Sequence, residues 1–215
     1  AEPGSLADLF EGMAACYTDL IQHTIYRGLD VIPADMSLAA LDLDGSLPDD
    51  VHGRPPRERA LRALTDLRDA VIEDDAYDYI IIDCPPAFSL ASISAIAAST
   101  DIVIPLKPGG FEIDGMAELT RQVESVRRVS PSVRIAGVLL TMWYNDPDII
   151  GVEDWLRKNS GQRVFNSHIR LSRPVDKSVL GGEPICQWSP TSGAARDYRA
   201  WVREYLGGVD DGETA

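Results

Sequence analysis

The chain has 215 residues, 45% of them hydrophobic and 25% charged, a size and composition suited to one well-buried globular domain. Its formal net charge of −14 makes it as a whole a poor electrostatic match for nucleic acid, so any DNA contact has to come from a local basic patch. No apolar run approaches the roughly 18 residues of a membrane span, and Ala1-Glu2-Pro3-Gly4 lacks the basic-then-apolar order of a signal peptide.

In chain order, Leu6, Leu9, Phe10, Met13, Tyr17, Leu20 and Ile21 recur at helical spacing, which predicts a helix over 5–26 with Ser5 as its cap. Residues 29–33 predict a short strand ended by Pro33, and 42–56, rich in Asp, Gly and Pro, a loop. Leu61, Leu64, Leu67 and Val71 mark one face of a charged helix over 58–73. From there the pattern alternates: strand 78–83, helix 89–99, strand 101–106, helix 112–129, strand 134–141 and a polar helix at 151–159. A short strand at 163–165, a helix at 173–180 and a last helix over 191–206 complete it. The strands are nearly continuous apolar runs, as expected when helices cover both faces of a parallel sheet. The expected fold class is therefore α/β, a doubly wound, mostly parallel sheet. One domain over 1–206 is expected, followed by a flexible acidic tail at 207–215.

The run Tyr77-Asp78-Tyr79-Ile80-Ile81-Ile82-Asp83-Cys84-Pro85-Pro86 carries the clearest chemistry. It reads as a buried strand that delivers a carboxylate at its C-terminal end, where ligands sit in open α/β sheets. Asp83 there suits a Mg²⁺ ion held through water, because Mg²⁺ keeps several waters and takes few protein carboxylates. The plainer reading is an Asp capping the next turn. Pro85 and Pro86 fix that turn and remove two backbone donors.

The same run resembles the Walker B strand and Asp-x-Pro-Pro turn of the ParA/MinD family of deviant P-loop ATPases, specifically its partition branch. Other segments follow in that family's order: Gly28–Ala34, Asp101–Leu106, Gly137–Met142, Ile169–Ser172, Gly182–Ile185 and Ser189–Tyr198. The resemblance covers Ser5 to Tyr205 and implies a three-layer P-loop NTPase fold. It implies ATP and Mg²⁺ as cofactors, with Asp83 as the hydrolysis-site residue. It places the adenine pocket at Thr141, Met142 and Pro190, with Pro85 and Pro86 in the loop facing the γ-phosphate. It also implies a homodimer on ATP binding, a ParB-like adaptor, nonspecific DNA as a further partner, and a cytoplasmic or nucleoid-associated location. Arg170, Arg173 and Lys177, with Arg163 and His168 beside them, are the segment that the resemblance makes a DNA-binding face; ordinary solvated arginines are the alternative.

The family's Walker A loop and the strand with its catalytic Asp are not found in these residues. The expectation is that they lie upstream or on a second chain, since otherwise Ile80–Ile82 would face water along an open edge, and that this chain alone would not hydrolyse ATP. Leu41–Ser46 superficially resembles the second of these motifs but reads as a solvated acidic loop. The functional expectation is a ParA-like partition ATPase for plasmid or chromosome segregation. The alternatives are a degenerate, non-hydrolysing binding or scaffold module and, more weakly, a MinD-like positioning ATPase, which the acidic tail argues against. Arg54 to Arg68 interleave with acids as on an ion-paired solvent face. Cys16, Cys84 and Cys186 read as reduced thiols, the three histidines stand alone, and the four tryptophans read as packing residues.

Overall fold

The computed structural model describes residues 4–14, 16–39, 56–85, 89–108, 120–121, 123–128 and 130–210. They fall into two compact units, one comprising Ala1–Thr100 and Val126–Val133, the other Asp101–Ser125 and Arg134–Ala215.

In the first unit, helix α1 (Leu6–Glu11) starts where the Asp8 carboxylate accepts the Ser5 backbone N–H at 2.7 Å. It ends at Gly12, whose φ of 74° is left-handed. The expected helix over 5–26 is thus cut short, and its apolar spacing at Tyr17 and Leu20 is met by a 3₁₀ turn, Tyr17–Leu20. The chain then forms a small hairpin of β1 (Gln22–His23) and β2 (Asp30–Val31). The strand expected at 29–33 is therefore only two residues long, and it pairs antiparallel with its neighbour rather than joining a parallel sheet.

Helix α2 (Pro56–Glu73) turns Ala60, Ala63, Leu64, Leu67 and Val71 inward. It packs on α3 (Leu90–Ala98), which Ser89 caps by accepting the Ser92 N–H at 3.1 Å. Ala60, Ala63, Ala95 and Ala98 let the two helices approach closely around Phe10. Arg59 reaches back to the Phe10 carbonyl at 3.0 Å, tying α2 to the end of α1.

Residues 76–85 form neither helix nor strand among the described residues, which corrects the strand expected at 78–83. A strand needs a hydrogen-bonded neighbour, and no described strand lies against this run. Only Ile82 packs on the Phe10 cluster, whereas Ile80 is 42% and Ile81 90% exposed. Water therefore covers Ile80 in part and Ile81 almost fully. The run is held at its start, where the Tyr77 hydroxyl donates to Asp30 Oδ2 at 2.6 Å and His23 Nδ1 lies 3.0 Å from Oδ1 of the same carboxylate.

The second unit is built on a parallel sheet of β3 (Asp101–Leu106), β4 (Arg134–Trp143) and β5 (Ile169–Arg170), in that order. Along β4, Val138 and Leu140 face Leu156 of helix α4 (Pro147–Asn159), while Leu139 faces Phe165 and the C-terminal helix. Both faces are buried, which accounts for the unbroken apolar run. Asp146 caps α4 by accepting the Asp148 N–H at 2.9 Å, with Pro147 in the first turn. The stretch expected as a strand at 163–165 makes one bridge, Val138 to Val164. Helices α5 (Arg173–Leu180), α6 (Ile185–Trp188) and α7 (Gly193–Asp210) follow. The last continues past the expected end at 206; residues 211–215 lie outside the described residues. So do the acidic stretch at 41–46 and most of the helix expected at 112–129. Among the described residues, no helix is long and apolar enough to cross a membrane.

Gly137 sits where β4 bulges against Ile102 and Val103. A Cβ there would lie 2.9 Å from the Phe165 ring and 3.1 Å from the Arg163 carbonyl. Gly137→Ala is expected to destabilise the protein by about 1–3 kcal/mol through overpacking, read as a lower urea midpoint at unchanged m-value. A midpoint equal to wild type would show that this approach does not require glycine.

Candidate functional site

The C-terminal end of β4 is distorted in a specific way. Thr141 pairs with Ile169 and Trp143 with Arg170, so Met142 between them is a bulge residue with no partner on β5. Its φ is 52° and its side chain is 52% exposed. A non-glycine residue held there costs about 1–3 kcal/mol and persists only where its surroundings over-determine it. Trp143 supplies one anchor, because its carbonyl accepts the Leu171 N–H at 2.8 Å.

Glu153 on α4 supplies another. It accepts from Trp143 Nε1 at 3.1 Å and lies 2.9 Å from His168 Nε2, while Arg157 donates to it at 2.7 and 3.0 Å. The indole and imidazole rings stack face to face, with centroids 4.7 Å apart and planes within 8°. Arg157 also clamps the carbonyls of Val164 and Phe165 at 2.9 and 2.8 Å. Burial would raise the Glu153 pKa, but the hydrogen bonds from His168 and Arg157 outweigh it and hold the carboxyl below the ordinary glutamate range.

Two further carboxylates come from α7. Glu204 accepts the backbone N–H groups of Asn166 and Ser167 at 2.7 and 2.8 Å, fixing the loop before β5. Asp197 holds Arg170 with two bonds of 2.7 Å, and the guanidinium lies over Gly193 at the start of α7, where a Cβ would come within 2.8 Å of it. Trp143, Tyr144, Asn145, His168, Arg170 and Asp197 line an open cleft of about 450 Å³.

Of the residues singled out from sequence, Thr141, Met142 and Arg170 thus meet on adjacent strands of the second unit. Pro190 lies in the turn before α7, where its carbonyl accepts from Arg199 at 2.6 Å. Arg173 and Lys177 are exposed on α5. The cationic segment is less positive than its sequence suggests, because Arg170 is paired with Asp197, His168 with Glu153, and Arg163 lies 3.8 Å from Glu204. Asp83 and Pro85 belong to the first unit, both exposed, and Pro86 lies outside the described residues. Sequence reasoning missed Glu153, Asp197 and Glu204, and it read His168 as a neighbour of the cationic segment and Trp143 as a packing residue. Glu153 stands four residues before Arg157, a local helical ion-pair spacing, but the other partners lie 10 to 38 residues away and leave no local signature.

A family model described as AAA domain matches residues 5–135. An uncharacterized protein of Mycobacterium tuberculosis is 29% identical over 192 residues, which make up 87% of this chain and 56% of that protein. The chain thus spans little more than half the length of that relative. The sporulation initiation inhibitor protein Soj of Bacillus subtilis is 31% identical over 188 residues, 86% of this chain and 70% of Soj. Among solved structures, an ATP complex of McdA from Cyanothece shares the fold with a TM-score of 0.73 at 19% identity, over 96% of this chain and 76% of that one.

The Arg170–Asp197 pair has a pH signature. Burial raises the Asp197 pKa, but hydrogen bonds from the Arg170 side chain and backbone overcome this and leave it lowered. A lowered folded-state value means stability that is present above the unfolded value of about 3.9 and lost as pH falls through the folded one. Asp197→Asn is expected to lower the urea midpoint at neutral pH and to flatten its decline below about pH 4. Parallel acid limbs in the two proteins would exclude this linkage.

Proposed function

This chain belongs to the ParA/MinD family of P-loop ATPases, and on that premise we propose that it acts as a ParA-type partition protein that binds Mg-ATP. The observation that carries the reading is the family match over residues 5–135 together with the similarity to Soj over 86% of the chain. The protein works in the cytoplasm, at the nucleoid when it engages DNA, in the segregation of a chromosome or plasmid.

The residues present fit parts of the ligand. Asp83 is exposed and has no hydrogen bond or ion pair among the described residues, so its carboxylate is free to accept from metal-bound water. Pro85, with Pro86 after it, restricts the backbone that presents Asp83. Thr141 offers a hydroxyl, and the exposed Met142 and Pro190 offer apolar contacts, a combination suited to the edge and face of adenine. Mg-ATP, when bound, supplies the phosphoryl group that passes to water, and the protein's part is positioning and charge stabilisation. Asp83 is the one hydrolysis-site residue assigned here.

ATP binding would join two protomers, and the dimer would engage DNA nonspecifically and a ParB-like adaptor. With Arg170 committed to Asp197, the DNA contact falls mainly to Arg173 and Lys177. The net charge of −14 favours a second reading, a non-hydrolysing module whose partner is a protein.

In the intact gene product, Asp83→Ala is expected to lower Mg-dependent ATP hydrolysis at least about tenfold, equivalent to about 1.4 kcal/mol of barrier. An unchanged rate would remove Asp83 from the site. Reversing Arg173 and Lys177 to Glu is expected to weaken DNA binding and to make the slope of log affinity against log salt shallower by about 2. If the slope does not move, this face is not the DNA contact.

A further inference from the structure

The geometry points to Glu153 as a positioning residue for nucleotide binding: we propose that it sets the backbone of Met142 through Trp143 and His168. The proposal rests on the reading of Thr141 and Met142 as the adenine edge.

Met142 has no ladder partner and holds a left-handed φ of 52°, so its conformation depends on its two neighbours. The Thr141 backbone is secured by pairing with Ile169, and the Trp143 carbonyl by the Leu171 N–H. What remains is the Trp143 side chain, which carries the orientation of the residue immediately after Met142. That side chain packs at the margin of the Leu156 cluster and has two directed contacts that set the plane of its ring, the Glu153 carboxylate at 3.1 Å and the imidazole of His168 stacked at 4.7 Å. The imidazole itself is bonded to Glu153 at 2.9 Å. Both directed contacts therefore end on one carboxylate.

The carboxylate is in turn immobile. Its side chain is 12% exposed, and Arg157, four residues on, grips it and the carbonyls of Val164 and Phe165 together. The loop leading to His168 is thereby fixed to the same helix as the carboxylate. Glu204 fixes that loop from the other side through the Asn166 and Ser167 N–H groups. Glu153 thus joins the end of β4 to the start of β5 across the residue that would touch the base. A carboxylate shared by an indole N–H, an imidazole and a guanidinium is a network whose members lose strength together when one is removed. The consequence for a ligand is pre-organisation: without Glu153 the Met142 edge has to be ordered at the moment of binding, and affinity falls.

The test is a fluorescence titration of the intact gene product with N-methylanthraniloyl-ADP and Mg²⁺. It compares wild type, Glu153→Gln, Trp143→Phe and the double variant. Trp143→Phe removes the indole N–H together with part of the ring's bulk and keeps an aromatic ring for His168, so it reports on the link even if Glu153→Gln folds poorly. Each single variant is expected to weaken binding about 5-fold, and the double variant by about the same factor rather than about 25-fold, because both break one link. The near-ultraviolet circular dichroism that Trp143 contributes, obtained as wild type minus Trp143→Phe, is expected to collapse in Glu153→Gln.

Wild-type affinity in Glu153→Gln, or losses that multiply in the double variant, would overturn the proposal while leaving the nucleotide reading intact. Failure of wild type to bind the probe would overturn the nucleotide reading and this proposal with it.

Discussion

The second unit depends on the burial of β4 on both faces. Val138 and Leu140 on one side and Leu139 on the other allow no slip of register, since a shift by one residue would exchange the two cores. That fixed strand is what makes the irregularities at its two ends meaningful. Near its start, Gly137 lets Phe165 approach the backbone, and at its end Met142 bulges out of the ladder. Neither feature would be stable on a strand free to slide.

Carboxylates from the surrounding helices then organise what the strand presents. Glu153, Asp197 and Glu204 each lie on a helix packed on the sheet, and each engages the segment around β5. Each is held below the usual carboxylate range by its hydrogen bonds in spite of its burial. The arrangement gives order to a two-residue strand that has little ladder of its own. It also withdraws positive charge from a segment that looks cationic when read linearly, so the acidity of the chain is deployed locally as well as in bulk.

Much of the second unit was legible in the sequence. The strand at 101–106 and the helix at 173–180 coincide with their expected bounds, because continuous apolar runs and Pro near a helix start are local signals. Helix 191–206 was also anticipated, four residues short at its C-terminal end. What failed did so where non-local pairing decides. Ile80–Ile82 has every strand propensity, yet among the described residues it has no partner to make it one. The apolar period through Tyr17 continued past a left-handed glycine that stops the helix. At the candidate site, Thr141 and Met142 were singled out only through the family resemblance, and the bulge that distinguishes Met142 arises from the register with β5. Glu153 was one acid among several on a polar helix until the fold brought Trp143 and His168 to it.

The exposed residues Tyr79, Ile80 and Ile81 have a consequence for how the protein behaves in concentrated solution. A short segment of aromatic and β-branched residues with side chains open to water has the composition of a cross-β stacking unit. Asp78 and Asp83 bracket it, and in register-aligned copies their charges would pile up along the stack. Charges so placed are of the kind that guard apolar stretches against self-association. The carboxylate proposed to serve a metal would thus also be one of two that keep this stretch of chain from templating on its own kind.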